Sequence, residues 1–267
     1  MWLRSALALC AVGLLAVGCV EQPQGTAGAA SQPAQSAAVG GMAMPSGPAS
    51  ARAVDTQALG TYHRYRDGVA WRLGPRGVEV ETGTPRGDRK KRAEIIDTVW
   101  RDYGALIQDA SARHDVPAEL LIAIIVEESS GRPNVVHREP GYVSDAKTPN
   151  KVTLGLTGVL LGTARTVMND PRINRAWVFQ PANAIEVAAR YVAQQYSITG
   201  YDVPKVAAAY NAGAIYYNGG PNNRWKMLTH PKGSSEYIDN FVASFNMATA
   251  YLADGRAPAQ SFAALRR

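Results

Sequence analysis

In "LLIAIIVEESSGRP", seven apolar residues from Leu120 to Val126 run straight into two glutamates. Taking an unpaired carboxylate out of water costs on the order of several kcal/mol, so at least one of Glu127 and Glu128 is either solvated at a cleft or perturbed in its ionisation. Glu128 lies seven residues after Leu121 and three or four after Ile125 and Ile124, which continues their apolar stripe. It also falls in the last turn of a helix that Gly131 and Pro133 stop. Burial and the partial negative charge of a helix C-terminus both disfavour the ionised form and raise the pKa. A carboxyl that stays protonated near neutrality is what glycosidic-bond cleavage needs as general acid. Spacing alone leaves a second reading open, a helix-end glutamate in water. Glu127 is expected to be structural or solvated.

Other chemistries lack their residues. The four histidines (His63, His114, His137, His230) have no metal-ligand spacing, and both cysteines, Cys10 and Cys19, lie in the first twenty residues. No metal and no cofactor are expected, and no phosphate-loop pattern occurs.

The elements that must position the glutamates are helical. "AEIIDTVWRDYGALIQDASARHD" places Ile95, Ile96, Val99, Tyr103, Leu106, Ile107 and Ala110 at intervals of three and four. A second helix opens at Val116-Pro117 and is apolar all round from Leu120 to Val126, the mark of a central buried helix. Further helices are expected at 181–196, 203–212 and 234–252. Residues 138–155 are polar and rich in breakers, with room for a short strand pair. The expected fold is mainly α, a helical domain around a central buried helix with a loop-rich insertion after it.

Four motifs then occur in order across residues 94–252. "EESSGRP" resembles the E-S-x-x-x-P signature of the lysozyme-like lytic transglycosylases of the soluble (SLT) type, aligning Glu128-Ser129 and Pro133. "GLTGVLLGTAR", Gly155 to Arg165, resembles that family's G-L-M-Q segment; "AAAYNAG", Ala207 to Gly213, resembles its A-Y-N-A-G motif; and "SSEYIDNFVASF" resembles its closing segment, with a tyrosine facing the acid. Each motif is weak and the set is specific. The resemblance implies an α+β lysozyme-like fold and a lytic transglycosylase that binds peptidoglycan glycan strands. It makes Glu128 the sole catalytic acid/base, with Ser129 beside it holding substrate or the carboxylate. Gly155, Leu156, Tyr210, Asn211 and Tyr237 become substrate-binding positions, the two tyrosines flanking the acid.

The implied product is a 1,6-anhydro-muramoyl end, formed when Glu128 protonates the bond between N-acetylmuramic acid and N-acetylglucosamine. One departure stands out: Thr157-Gly158 replaces Met-Gln. Restoring the amide by Gly158→Gln is expected to raise activity. The alternatives are a non-catalytic peptidoglycan-binding lipoprotein, and a hydrolytic muramidase using Asp145 or Glu139 as second carboxylate.

The N-terminus supplies the address. "MWLRSALALCAVGLLAVGCV" has one basic residue and an apolar stretch of secretory length, and "LAVGC" resembles a bacterial lipobox with Cys19 as the lipidated residue. Val20 and Glu21 after it fit an outer-membrane anchor facing the periplasm, by resemblance to sorting rules. Residues 20–55 read as a flexible tether; 21–50 are mainly Ala, Gly, Ser, Pro and Gln with almost no charge and are expected to be dispensable for catalysis. Net charge is +5 over residues 1–92 (eleven Lys/Arg against six Asp/Glu) and +1 over 93–267 (seventeen against sixteen). Residues 56–92 are therefore expected to be a basic linker, a solvated spacer with a short hairpin or a surface for anionic lipid or an acidic polymer; an exported protein seldom meets nucleic acid. The expected organisation is a signal peptide at 1–19, a tether at 20–55, the basic segment at 56–92, the transglycosylase domain at 93–257 and a tail at 258–267. A chain starting near Lys91 is expected to fold.

Overall fold

The apolar stripes of three helices assemble around one largely buried rod of helix. The structure is a computed structural model that describes residues 54–230, 234–253, 255–256 and 258–262. The expected signal peptide, Cys19 and most of the expected tether lie outside the described residues.

In chain order the elements are α1 (Thr56–Gly60), β1 (His63–Arg64), β2 (Ala70–Gly74), β3 (Gly77–Val80), α2 (Arg89–His114), α3 (Ala118–Ser129), β4 (Val136–Arg138), a 3-10 turn (Pro149–Lys151), β5 (Val152–Leu154), β6 (Val159–Leu160), α4 (Leu161–Met168), α5 (Arg175–Val178), α6 (Pro181–Gln194), α7 (Tyr196–Thr199), α8 (Val203–Ala212) and α9 (Glu236–Ala253). The class is mainly α, as expected.

Helix α3 is the rod. Leu120 through Ile125 are all at most 1% exposed, because α2, α6 and α9 pack around it. A helix with no polar face has no stable place in water, and each such side chain contributes about 1.5–3 kcal/mol on burial. Its one early charge, Glu119, is fully buried and accepts from the Phe262 amide at 3.1 Å. The helix ends where Ser130 turns into the left-handed region (φ 52°) and its N–H reaches back to the Ile125 and Val126 carbonyls.

Two expectations are corrected here. Residues 56–92 are not a spacer. They form the antiparallel sheet β1-β2-β3, in register Trp71↔Val80 and Leu73↔Val78, and send Trp71, Leu73, Val78 and Val80 into the main core while Arg72 and Glu79 pair on the outer face. The basic residues are the solvent half of a two-period pattern whose other half is apolar. Helix α2 also starts at Arg89, so its first turn lies inside the segment read as linker. At the other end, Phe262 is 1% exposed and meets Phe245 edge-on at 5.2 Å, so Ser261 and Phe262 of the expected tail are buried against the core.

The insertion after α3 holds more than a strand pair. Strands β4-β5-β6 make a second antiparallel sheet, whose Val152, Leu154 and Val159 bury a separate cluster with Leu161, Ala164 and Val178.

Candidate active site

Two helices and one loop converge on the end of α3. Glu128 comes from its last turn, Tyr237 from the first turn of α9, Tyr210 from α8, and Thr157-Gly158 from the turn between β5 and β6. The Tyr237 hydroxyl donates to Glu128 Oε1 at 2.5 Å, and the Tyr210 hydroxyl donates to the Thr157 carbonyl at 2.7 Å. Thr157 is 1% exposed and its own hydroxyl donates to the Ala184 carbonyl at 3.2 Å, which ties the turn to α6.

The Glu128 carboxyl is enclosed by protein yet its residue keeps partial exposure, so it is both desolvated and reachable. Its pKa is raised to about 7: burial is the largest cause, the Tyr237 hydrogen bond opposes it, and the charge of Glu127 adds to it. Burial first, then the nearby Glu128 carboxylate, hold the Tyr210 and Tyr237 phenols well above their usual range, so both stay hydroxyl donors.

Glu127 is built in the opposite way. Its carboxylate pairs with the Arg92 guanidinium and accepts from the Ser244 hydroxyl, and Arg92 Nη2 donates to Asn240 Oδ1 at 2.8 Å. The Glu127 side chain is 11% exposed. It is a strut joining α2, α3 and α9.

The remaining sequence-derived positions divide. Ser129 is 2% exposed and donates to the Leu156 carbonyl at 2.6 Å, with the Ile125 carbonyl at 3.1 Å as a further acceptor. It neither holds the carboxylate nor faces a substrate; it pins the end of α3 to the 155–158 turn. The Leu156 side chain is fully buried in the main core, and a Cβ on Gly155 would come within 2.9 Å of the Val178 carbonyl. Both shape the turn and offer no side chain to a sugar. Asn211 accepts from the His230 amide at 2.5 Å, bracing the segment after α8, and keeps partial exposure. Asp145 bonds Arg175 at 2.7 Å and Tyr142 at 2.7 Å, and Arg175 first of all holds its pKa below the usual carboxylate range. That carboxylate stabilises the insertion.

Gly158 was legible only as a departure from the motif, and the geometry explains it. Its φ is +57°, and a Cβ there would lie 2.4 Å from Glu128 Oε2 and 2.8 Å from Glu128 Cβ. The expected gain from Gly158→Gln is therefore reversed, since no side chain fits without moving the glutamate. Sequence reasoning also missed Arg92, Asn240 and Ser244; an arginine beside a breaker-rich stretch carries no local sign of a partner 152 residues away. Among the described residues no group of three His, Cys, Asp or Glu could hold a metal ion.

A buried helix ending in a carboxyl whose pKa is raised to about 7, hydrogen-bonded by a tyrosine, on a mainly α frame with two small antiparallel sheets, fits a lysozyme-like domain. The family described as the transglycosylase SLT domain matches residues 105–240, just over half of the chain. The chain belongs to that family, the soluble lytic transglycosylases of the lysozyme-like superfamily, which act on peptidoglycan. Comparison with curated proteins and with solved structures finds no match.

Proposed function

We propose that the protein cleaves the β-1,4 bond between N-acetylmuramic acid and N-acetylglucosamine and leaves a 1,6-anhydro-muramoyl end, with Glu128 as its one acid and base. The observation that carries this is the pair of adjacent glutamates in opposite states: Glu127 paired with Arg92, and Glu128 shifted to about 7 with no ion pair among the described residues. At that value a large fraction of the carboxyl is protonated at neutral pH and its conjugate base is strong enough to take a proton back.

Tyr237 occupies Oε1, so the transferable proton sits on Oε2, the oxygen turned towards Gly158. Oε2 gives that proton to the glycosidic oxygen as the C1–O bond breaks, and the substrate's acetamido group stabilises the cation. The carboxylate then takes the proton of the muramoyl C6 hydroxyl as C6–O closes on C1, and no water is consumed. The common water-using route employs a second carboxylate positioned at the bond; of the two candidates, Asp145 is engaged by Arg175, and reducing ends would point to Glu139.

The test is mass analysis of fragments released from purified sacculi. Glu128→Gln is expected to lose about a hundredfold to ten-thousandfold in release of anhydro ends while still binding sacculi, and Glu127→Gln to keep more activity than Glu128→Gln. Activity is expected to decline as pH rises through about 7, where the acid form disappears. Reducing ends from the wild type, or a dead Glu127→Gln beside an active Glu128→Gln, would sink the assignment.

The lipid anchor on Cys19 and a periplasm-facing place at the outer membrane are part of the same proposal, supported by "LAVGC" and the tether after it. Cys19→Ala should yield unacylated protein that leaves the membrane fraction; retention there without an acyl chain refutes the anchor.

A further inference from the structure

The segment between α8 and α9 is long for a helix connection and carries two large exposed aromatics in succession, Tyr216 (52% exposed) and Tyr217 (44%). It begins at Gly213, directly after the helix that supplies Tyr210, and residues 216–228 are held by backbone pairing. The Leu228 amide donates to the Tyr216 carbonyl at 2.8 Å, Tyr217 and Met227 form an antiparallel bridge, and the Asn218 amide donates to the Lys226 carbonyl at 2.9 Å. Trp225 anchors it from below, fully buried, with its indole N–H on Asp239 at 2.8 Å.

The two tyrosines face different neighbours, as successive residues of an extended strand must. Tyr217 turns to the N-terminal sheet: the Arg66 guanidinium lies over its ring at 4.7 Å and its hydroxyl reaches Asp67 at 3.4 Å. That sheet grips the same segment again where the Val69 amide donates to the Arg224 carbonyl at 2.8 Å. Tyr216 alternates away from that neighbour, and it stands three residues beyond Gly213, where a Cβ would lie 3.9 Å from the Tyr191 hydroxyl. The Tyr191 phenol is raised by burial first, against a lowering hydrogen bond with Gln195, and its further raising neighbour is Tyr216. Tyr191 in turn packs edge-on against Tyr210 at 5.6 Å, and Tyr210 feels the charge of Glu128. Ring contact thus runs from Tyr210 to Tyr191, the Tyr191 hydroxyl lies beside Gly213, and three residues further on stands a half-exposed phenol on a fixed backbone.

We propose that Tyr216 is a stacking platform for a sugar ring of the glycan strand, outside the bond being cut and on the Tyr191 side of Glu128. The inference rests on the reading of the substrate above. A pyranose face presents a layer of C–H groups, the partner that the negative face of an aromatic ring prefers. A tyrosine whose backbone is already fixed loses little entropy on binding. Its role is to hold the strand; the chemistry stays with Glu128.

The test measures binding apart from turnover. In a Glu128→Gln background, affinity for peptide-free glycan strands is compared with affinity for the single disaccharide. Adding Tyr216→Ala is expected to weaken strand binding about three- to tenfold and to leave disaccharide binding unchanged. Tyr216→Phe and Tyr216→Trp should stay within about twofold of the parent, since the ring face is kept. The melting temperature should not move, because the side chain packs against little. Equal strand affinity with Tyr216→Ala overturns the proposal, as does a loss of the same size with Tyr216→Phe, or a loss that tracks a drop in melting temperature. If strands bind through Tyr216 but the wild type makes no anhydro ends, only the proposed reaction fails.

Discussion

The chain builds two three-stranded antiparallel sheets, and they serve opposite ends. The first, β1-β2-β3, lies before the matched family segment of residues 105–240 and gives its apolar face to the main core through Trp71, Leu73, Val78 and Val80. The second, β4-β5-β6, has its own small cluster and gives the main core only Leu156 of its turn, yet that turn carries Gly158 against the Glu128 carboxyl. One sheet is part of what keeps the helices folded; the other is part of what the acid touches. The lesson is that an element's contribution to stability and its distance from the chemistry are independent quantities.

Deleting the first sheet is the strongest way to break this contrast. A chain starting at Lys91 loses four large core side chains, each contributing about 1.5–3 kcal/mol, a total comparable with the whole stability of an ordinary domain, about 5–15 kcal/mol. It is expected to be largely unfolded by circular dichroism. A chain starting at residue 54 should melt with the cooperativity of the longer form. A well-folded, active Lys91 chain would show the first sheet to be an accessory after all.

Gly158→Gln disturbs the second sheet's turn. The new Cβ must push Glu128 aside and hold a left-handed backbone, so activity should fall about a hundredfold, the scale set by a displacement of about 1 Å in a reacting group. Strain in the left-handed region should cost only about 1–2 kcal/mol, so the variant should still fold. Increased turnover would restore the original reading of the motif.

The smallest effect sharpens the role of the first sheet. His63 Nε2 lies 2.9 Å from Asp202 Oδ2, whose other oxygen accepts from the Trp71 indole at 2.7 Å, and Lys205 stands 3.1 Å from the same carboxylate. The hydrogen bond to Asp202 is the largest cause of a raised His63 pKa, with burial and Lys205 opposing it and the Thr61 carbonyl assisting. A raised histidine contributes stability that is complete below the unfolded value of about 6.5 and is lost as pH rises through the folded one. The melting temperature should fall by no more than about 2–4 °C over that window, and His63→Gln should flatten the slope. A slope unchanged in His63→Gln would exclude this clamp.

The helices were the most legible part of the sequence. Helix α8 spans the expected 203–212, and the apolar run Leu120–Val126 is the buried core of α3, because a three-to-four spacing or an uninterrupted apolar run is a local signal. The first sheet was hidden by its own outer face: arginines dominated the count, although Trp71 and Leu73 on one side of Gly74-Pro75-Arg76-Gly77, and Val78 and Val80 on the other, alternate as a hairpin should. At the site, Glu128 and Tyr237 were placed by motif and meet in space. Ser129 and Leu156 were placed by the same motifs and proved to be turned into the fold. A motif marks which residues a family keeps near the acid and says nothing of which way each side chain points.

The long strut from Arg92 to Glu127, Asn240 and Ser244, with Tyr237 reaching back 109 residues to Glu128, also fixes when the site can exist. During synthesis α3 emerges well before α9, so its two glutamates are present while the tyrosine that binds one and the serine that binds the other are still unmade. Contacts this distant in sequence close late in folding. A nascent or truncated chain ending before α9 therefore holds the acid's helix without the acid's setting. The order of the chain thus withholds the acid's setting until α9 has been made.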